Sequence, residues 1–277
     1  MLDNSYTEDY LKAIEERAIK NFLPKVKKQF AEIIKLSILD EDIKYFTLKG
    51  LNRAHDGFYY GYCSSSKKNH TIENNEVFGL YMHNLKVLGT TMAFCRLEGL
   101  NNYETSVAAS GAVFHDITRN LYGNAWANKL NLAHPLTGCE FVKKIPLRGV
   151  FYENNKKINY NIKSETRKEI SEIVLVHFGR FTEGIIEHFK DEMPSLFEEP
   201  NSIQDLLERI ENPSKIERIV QYADKVGSLK FASYVPGIKE IHFTEFEQNE
   251  PELFKQIKRL DYLLKIEPKE LVHKFKH

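Results

Sequence analysis

Apolar and polar residues alternate along most of this chain with the period of an α-helix. Between residues 8 and 37, Leu11, Ile14, Ala18 and Phe22, then Phe30, Ile33, Ile34 and Leu36, form apolar stripes among charged positions, a spacing that predicts helix. Pro24 lies inside this stretch, and its missing N–H predicts a break into two helices. Residues 49–75, KGLNRAHDGFYYGYCSSSKKNHTIENN, gather Gly, Ser and Asn and predict a loop with short irregular pieces. Helical patterns return at 77–98, 103–117, 134–145, 166–189, 202–211 and 213–232, with Pro213 placed as a first helical residue. The tail, 250–277, predicts a mixed-charge amphipathic helix pair broken near Pro268. Runs of Val, Ile and Thr with period two are nearly absent, and only 146–163 reads as a β-hairpin about Asn154-Asn155 or as a loop. The expected fold is therefore all-α, with at most one small β-hairpin. Three parts are expected: a helical and loop extension over 1–76, a core domain over 77–235, and a helical appendage over 236–277. The apolar stripes of the two outer parts imply packing, either on the core or on a second copy of the chain in a homo-oligomer.

Composition narrows the class. With 18 Phe, 14 Tyr and 42% hydrophobic residues, the chain can bury a sizeable core, so disorder is excluded as the main state. No window of about 18 apolar residues occurs, and no membrane span is expected. The first residues, MLDNSYTEDYLKAIEER, are polar and acidic, unlike a secretory signal. Cys63, Cys95 and Cys139 form no C-x-x-C pair, which fits a reducing cytoplasm and removes a disulfide framework and a thiolate zinc site. The 39 basic and 39 acidic residues cancel. Bulk electrostatic coating of nucleic acid is thus not expected, although Lys25, Lys27 and Lys28, or Lys67 and Lys68, could line a local basic groove.

The candidate chemistry lies in polar residues set inside apolar helical patterns. These are His83 in LYMHNLKVL, His115 and Asp116 in AVFHDIT, His134 in NLAHPLTG, His177 in IVLVHFG and Asp224 in IVQYADKVG. A buried imidazole or carboxylate needs a partner, because desolvating an unpaired charge is costly. A single histidine on an apolar face is more often a hydrogen-bonded core residue than a ligand. Six such groups can satisfy one another by holding metal, and imidazole with carboxylate suits Mn, Fe, Co, Ni or Zn. No Gly-x-Ser-x-Gly elbow, Cys-His phrase or Gly-rich P-loop offers a competing chemistry.

The phrases and their order resemble the HD-domain metal-dependent phosphohydrolase superfamily over roughly residues 77–230. HNLKVLGTTMA resembles the first-histidine helix, AASGAVFHDITR the helix ending in the His-Asp pair, AHPLTGCEFV the His-Pro-x-x-Gly phrase, EIVLVHFGRF the next histidine helix and IVQYADKVG the closing aspartate. The resemblance implies an HD-type helical bundle and ligands for two divalent transition-metal ions. His83, His115, Asp116 and Asp224 would hold one ion, Asp116, His134 and His177 the other, with Asp116 as the bridge. It implies a phosphohydrolase or phosphodiesterase in which metal-activated water attacks a phosphate ester of a nucleotide or nucleic-acid end. Asp116 and Arg119 are then the catalytic pair. The chain has Ile117-Thr118-Arg119 where the family often has Ile-Gly-Lys. Arg119, three residues after Asp116, keeps a cation on the same helix side and can bind the substrate's phosphate. After His177 come Phe178-Gly179-Arg180, which departs from the branch that degrades cyclic dinucleotides. Residues 62–83 are similar to the Ser- and His-containing approach in HD-type exoribonucleases and conjugative relaxases, which makes His70 a second candidate for substrate binding. A small-nucleotide nucleotidase or pyrophosphohydrolase, and a non-catalytic nucleotide-sensing module, stay open beside the phosphodiesterase. The second His-Asp pair, His55-Asp56, lies in a Gly- and Tyr-rich stretch and is expected to be a surface turn. His188, His242, His273 and His277 are expected to be solvated.

Overall fold

The computed structural model describes residues 4–60, 79–119, 133–178, 208–209 and 212–232. His70, Lys67, Lys68, Cys63, His188, His242, His273 and His277, with the helices expected at 202–211 and 250–277, lie outside or largely outside the described residues. The chain divides into two compact units, Met1–Gly227 and Ser228–His277, and the architecture below is that of the first.

Among the described residues there are eight helices and one two-stranded antiparallel sheet. In chain order they are α1 (Asn4–Ser37), α2 (Glu41–Leu51), α3 (Gly57–Tyr60), α4 (Gly79–Leu97), α5 (Asn102–Phe114), α6 (His134–Lys143), β1 (Arg148–Glu153), β2 (Lys156–Asn161), α7 (Ser164–Val176) and α8 (Lys215–Ala232). None of the helices is long and apolar enough to cross a membrane.

Helix starts are written in side-chain caps. Asp40 accepts from the Ile43 backbone N–H at the head of α2. Asn101 and Glu104 form a reciprocal capping box at α5. Ser214 and Glu217 do the same before α8, which satisfies two of the N–H groups a helix start leaves open. This box places Pro213 one residue outside the cap, and not at the first helical position. Pro24 does not divide α1, which runs unbroken from Asn4 to Ser37. Pro24 and Lys20 are both exposed, so the carbonyl that loses its helical donor can turn to water.

The bundle is organised around α5. Its residues Ser106–Phe114 are all buried, and the helix packs against α4 on one side and α7 on another, while α6 packs on α7. Small residues set these distances. A Cβ added at Gly111 would overlap the Ile173 side chain on α7, and one at Gly138 on α6 would come within 2.9 Å of Val174 Cγ1. Close approach of α5, α6 and α7 brings three helix termini together, and His115, His134 and His177 stand at those termini. The hairpin closes over α2. Asn154 and Asn155 take φ values of 47° and 63°, the left-handed pair that a two-residue type I′ turn requires. The register pairs Phe151 with Ile158 and Gly149 with Tyr160, and this face stacks Phe151 on Tyr45 and Tyr160 on Phe46.

The Gly111 contact yields a stability test. Gly111→Ala must push Ile173 aside in a closely packed core and should cost about 1–3 kcal/mol. Gly89, on the exposed side of α4, has no atom within 4 Å of an added Cβ. Gly89→Ala should therefore raise stability by roughly 0.5–1 kcal/mol. Thermal unfolding of the two variants should shift in opposite directions.

Candidate metal centre

Two of the histidines are placed by the same local device. His115 follows the last residue of α5 and His177 the last residue of α7, each at the C-cap. A helix end leaves carbonyls without an intrahelical donor. Here the imidazoles supply one: His115 Nδ1 lies 2.7 Å from Ala112 O and His177 Nδ1 lies 2.6 Å from Val174 O. A carbonyl only accepts, so Nδ1 carries the proton and Nε2 of each neutral ring presents a lone pair. His134 opens α6, with Pro135 beside it in the first turn. His83 comes from the first turns of α4 and Asp224 from the middle of α8.

The six side chains converge. His83 Nε2 and His115 Nε2 are 3.2 Å apart, as are His134 Nε2 and His177 Nε2. Asp116 joins the two pairs. Its Oδ2 lies 3.6 Å from His83 Nε2 and 3.5 Å from His115 Nε2, and its Oδ1 lies 3.0 Å from His134 Nε2 and 3.9 Å from His177 Nε2. Asp224 Oδ1 stands 3.0 Å from His83 Nε2 and 3.7 Å from His115 Nε2. Two groups with metal-ligand spacing result, His83 with His115 and Asp116, and Asp116 with His134 and His177. All six residues are buried, from 0% exposure at His83 and His115 to 8% at Asp224.

Several observations fit a cation. Burial opposes the charge of Asp116, but Arg119, His115 and His134 outweigh it and hold the carboxyl well below the usual range. Burial also opposes the charge of Asp224, and the hydrogen bond and field of His83, with His115 and His177, still hold it at about 2. Burial pushes His115 down, and it takes His177 to about 3, helped by His134 and His115. Both carboxylates are therefore ionised and both of these rings neutral. Asp116 Oδ1 lies buried between His134 Nε2 at 3.0 Å and His177 Nε2 at 3.9 Å. A buried carboxylate oxygen facing two imidazole nitrogens, one of them bearing a lone pair, is an arrangement that suits a divalent ion.

Arg119 and the residues around it complete the picture. Helix α5 ends at Phe114, so residues 115–119 form a turn and do not continue the helix to 117. The turn closes with Arg119 N–H on Asp116 O at 2.9 Å. It also brings Arg119 Nη1 to 2.7 Å from Asp116 Oδ2, with the Arg119 side chain 17% exposed. Arg119 thus links the buried carboxylate to the surface. Two positioning groups escaped the sequence reading. Thr118 donates to the His134 carbonyl and shares a hydrogen bond with Thr137, which fixes the start of α6. Gln221 donates to the Val176 carbonyl at 2.8 Å, tying α8 to the residue before His177. Gln221 could have been found by its spacing, one helical turn before Asp224. The hydroxyl of Thr118 could have been found as a departure from the family's glycine.

The other His-Asp pair is not a simple surface turn. Asp56 is exposed and binds Lys27 on α1. His55 is half-buried, its ring faces the backbone of Ile117 and Arg119, and burial lowers its pKa. It belongs to neither ligand group.

Metal content separates these roles. Asp116→Ala should lose metal from both groups, because it removes their shared ligand. His134→Ala and His177→Ala should each retain the ion held by His83, His115 and Asp224. His55→Ala should keep the full complement. Inductively coupled plasma mass spectrometry on the purified variants reads all four, and equal losses in Asp116→Ala and His55→Ala would show that the wrong pair has been chosen.

No protein family, no curated protein and no solved structure matches the chain. The side chains themselves carry the conclusion: the protein has a buried cluster of histidines and aspartates, compatible with an HD-type site, that could hold metal.

Proposed function

We propose that the protein is a metal-dependent phosphohydrolase, of the phosphodiesterase kind, acting on a phosphate ester of a nucleotide or nucleic-acid end. The observation that carries this reading is the sharing of Asp116 by two three-residue ligand groups, which suits a pair of ions bridged by one carboxylate. His83, His115, Asp116 and Asp224 would hold one ion, and Asp116, His134 and His177 the other. Bound there, divalent ions supply Lewis acidity, a lowered pKa for water and a clamp for phosphate oxygens.

The chain's own residues do the rest. His115 and His177 are held as Nδ1–H tautomers by the Ala112 and Val174 carbonyls, so their Nε2 atoms stay available without a proton to displace. Thr118 and Gln221 keep α6 and α8 in place against this pair of helix ends. Arg119 lies at the rim, partly exposed and within reach of the bridging carboxylate. A guanidinium cannot ligate a cation, but its fork can bind phosphate oxygens and stabilise the charge that builds on the transferring phosphoryl group.

Hydrolysis of bis(p-nitrophenyl) phosphate with added Mn, and its loss with chelator, tests the reading. Metal-loaded protein with no turnover of this ester or of nucleotide esters would instead identify a non-catalytic sensing module. Arg119→Ala should lower kcat by about 10²-fold, on the scale of losing one electrostatic stabiliser, while metal content is kept. Arg119→Lys should recover part of the loss. Unchanged turnover in folded, metal-loaded Arg119→Ala would reduce Arg119 to a structural partner of Asp116.

A further inference from the structure

The chain's zero net charge conceals a strongly basic segment. Residues 143–168 contain Lys143, Lys144, Arg148, Lys156, Lys157, Lys163, Arg167 and Lys168 against Glu153 and Glu165, so the segment carries 8 − 2 = +6 in a chain whose total is 0. The fold then sorts these charges by face. Glu153 turns inward, where it binds Lys35 and accepts from Tyr45. The opposite face of the hairpin, read from the register, carries Arg148, Val150 and Tyr152 on β1 and Lys157, Asn159 and Asn161 on β2, with no carboxylate among them. Asp42, at the start of α2, lies by the end of this ribbon and accepts from the Asn161 N–H. Lys144, Lys156, Lys163 and Lys168 are exposed around the ribbon.

Tyr152 gives this face its character. It is 72% exposed, whereas Phe151 and Tyr160 on the other face pack against α2. Its cross-strand partner is Lys157. An exposed ring beside a cation is a poor element of a solvated surface but a good platform for a base, with the ammonium placed for the adjoining phosphate. Arg148 Nε donates to Asn161 Oδ1 at 3.0 Å, which orders both side chains beside the platform. Lys143 is bound to Glu140 and Lys168 lies 3.9 Å from Glu172, as Lys27 in the Lys25–Lys28 cluster is bound to Asp56, so the basic character that bears on the platform is that of Arg148 and Lys157.

We propose that the outward face of the β1–β2 hairpin binds single-stranded nucleic acid, with Tyr152 stacking on a base and Lys157 and Arg148 meeting the phosphates. The hairpin follows the C-terminus of α6, whose first residue is His134, so the ribbon and the ligand cluster belong to consecutive elements of one unit, and a strand bound on the ribbon is offered as the substrate of the cluster. As a statement about substrate this rests on the phosphohydrolase reading; as a statement about binding it does not.

Fluorescence anisotropy on the full chain with labelled dT and U oligomers of about 12 nucleotides, in chelator, separates the two, because no turnover is required. Binding should weaken steeply between about 50 and 200 mM salt. Tyr152→Ala should weaken it about ten-fold, within the range for one stacked base, and Tyr152→Phe should restore it. Arg148→Ala with Lys157→Ala should lower the salt slope by about two, one for each phosphate contact. Lys25→Ala with Lys28→Ala should change neither. The proposal is overturned if the hairpin variants bind like the parent, if duplex of the same length binds as tightly and ignores Tyr152→Ala, or if anionic phosphatidylglycerol vesicles bind the hairpin while oligomers do not. Loss of ester hydrolysis with hairpin-dependent oligomer binding intact would instead reject the phosphohydrolase reading alone.

Discussion

A carboxylate with 1% exposure stays ionised only where positive charge surrounds it, and Asp116 is such a group. Its two oxygens face different histidine pairs, and Arg119 approaches one of them. Asp224 is ionised as well, and His115 and His177 are held towards the neutral form, so two buried carboxylates stand beside imidazoles in a setting that could hold a metal ion. The helix ends, the small residues of α5 and the hydroxyl and amide anchors can all be understood as holding this one carboxylate among four imidazoles.

The packing explains why those imidazoles can meet. Each belongs to a different helix or helix end, so their convergence requires α5, α6 and α7 to approach closely. Gly111 and Gly138 remove the side chains that would hold the helices apart. The buried run Val107–Val113 lets α5 be covered on several sides. The same closeness leaves few alternative arrangements for the core, so the ligand nitrogens are positioned by backbone geometry more than by side-chain freedom. His115 and His177 illustrate this, because each ring is anchored to the carbonyl of a residue three positions earlier.

Charge is distributed with equal economy of place. The inner face of the hairpin uses Glu153 to neutralise Lys35, while its outer face and surroundings collect exposed cations. Overall neutrality thus says little about any one surface. A buried cluster of histidines and aspartates and an exposed basic ribbon occupy the same unit of a chain that sums to zero.

The helical class and the candidate ligands were legible in the sequence because both depend on local pattern. Apolar spacing gives helices, and a polar residue inside such a pattern stands out as a group needing a partner. The turn at Asn154-Asn155 was legible for a similar reason, since few residues tolerate positive φ at both positions. Pro24 misled because the cost of a proline inside a helix is smaller where the freed carbonyl can turn to water, and exposure is a tertiary property. The end of α5 at Phe114, the anchoring roles of Thr118 and Gln221 and the half-burial of His55 were likewise decided by contacts between segments far apart in the chain. The basic ribbon needed both levels. The sequence supplied the cations, and only strand register decided that Glu153 faces inward while Tyr152 and Lys157 face out, because in a strand successive side chains must point to opposite sides.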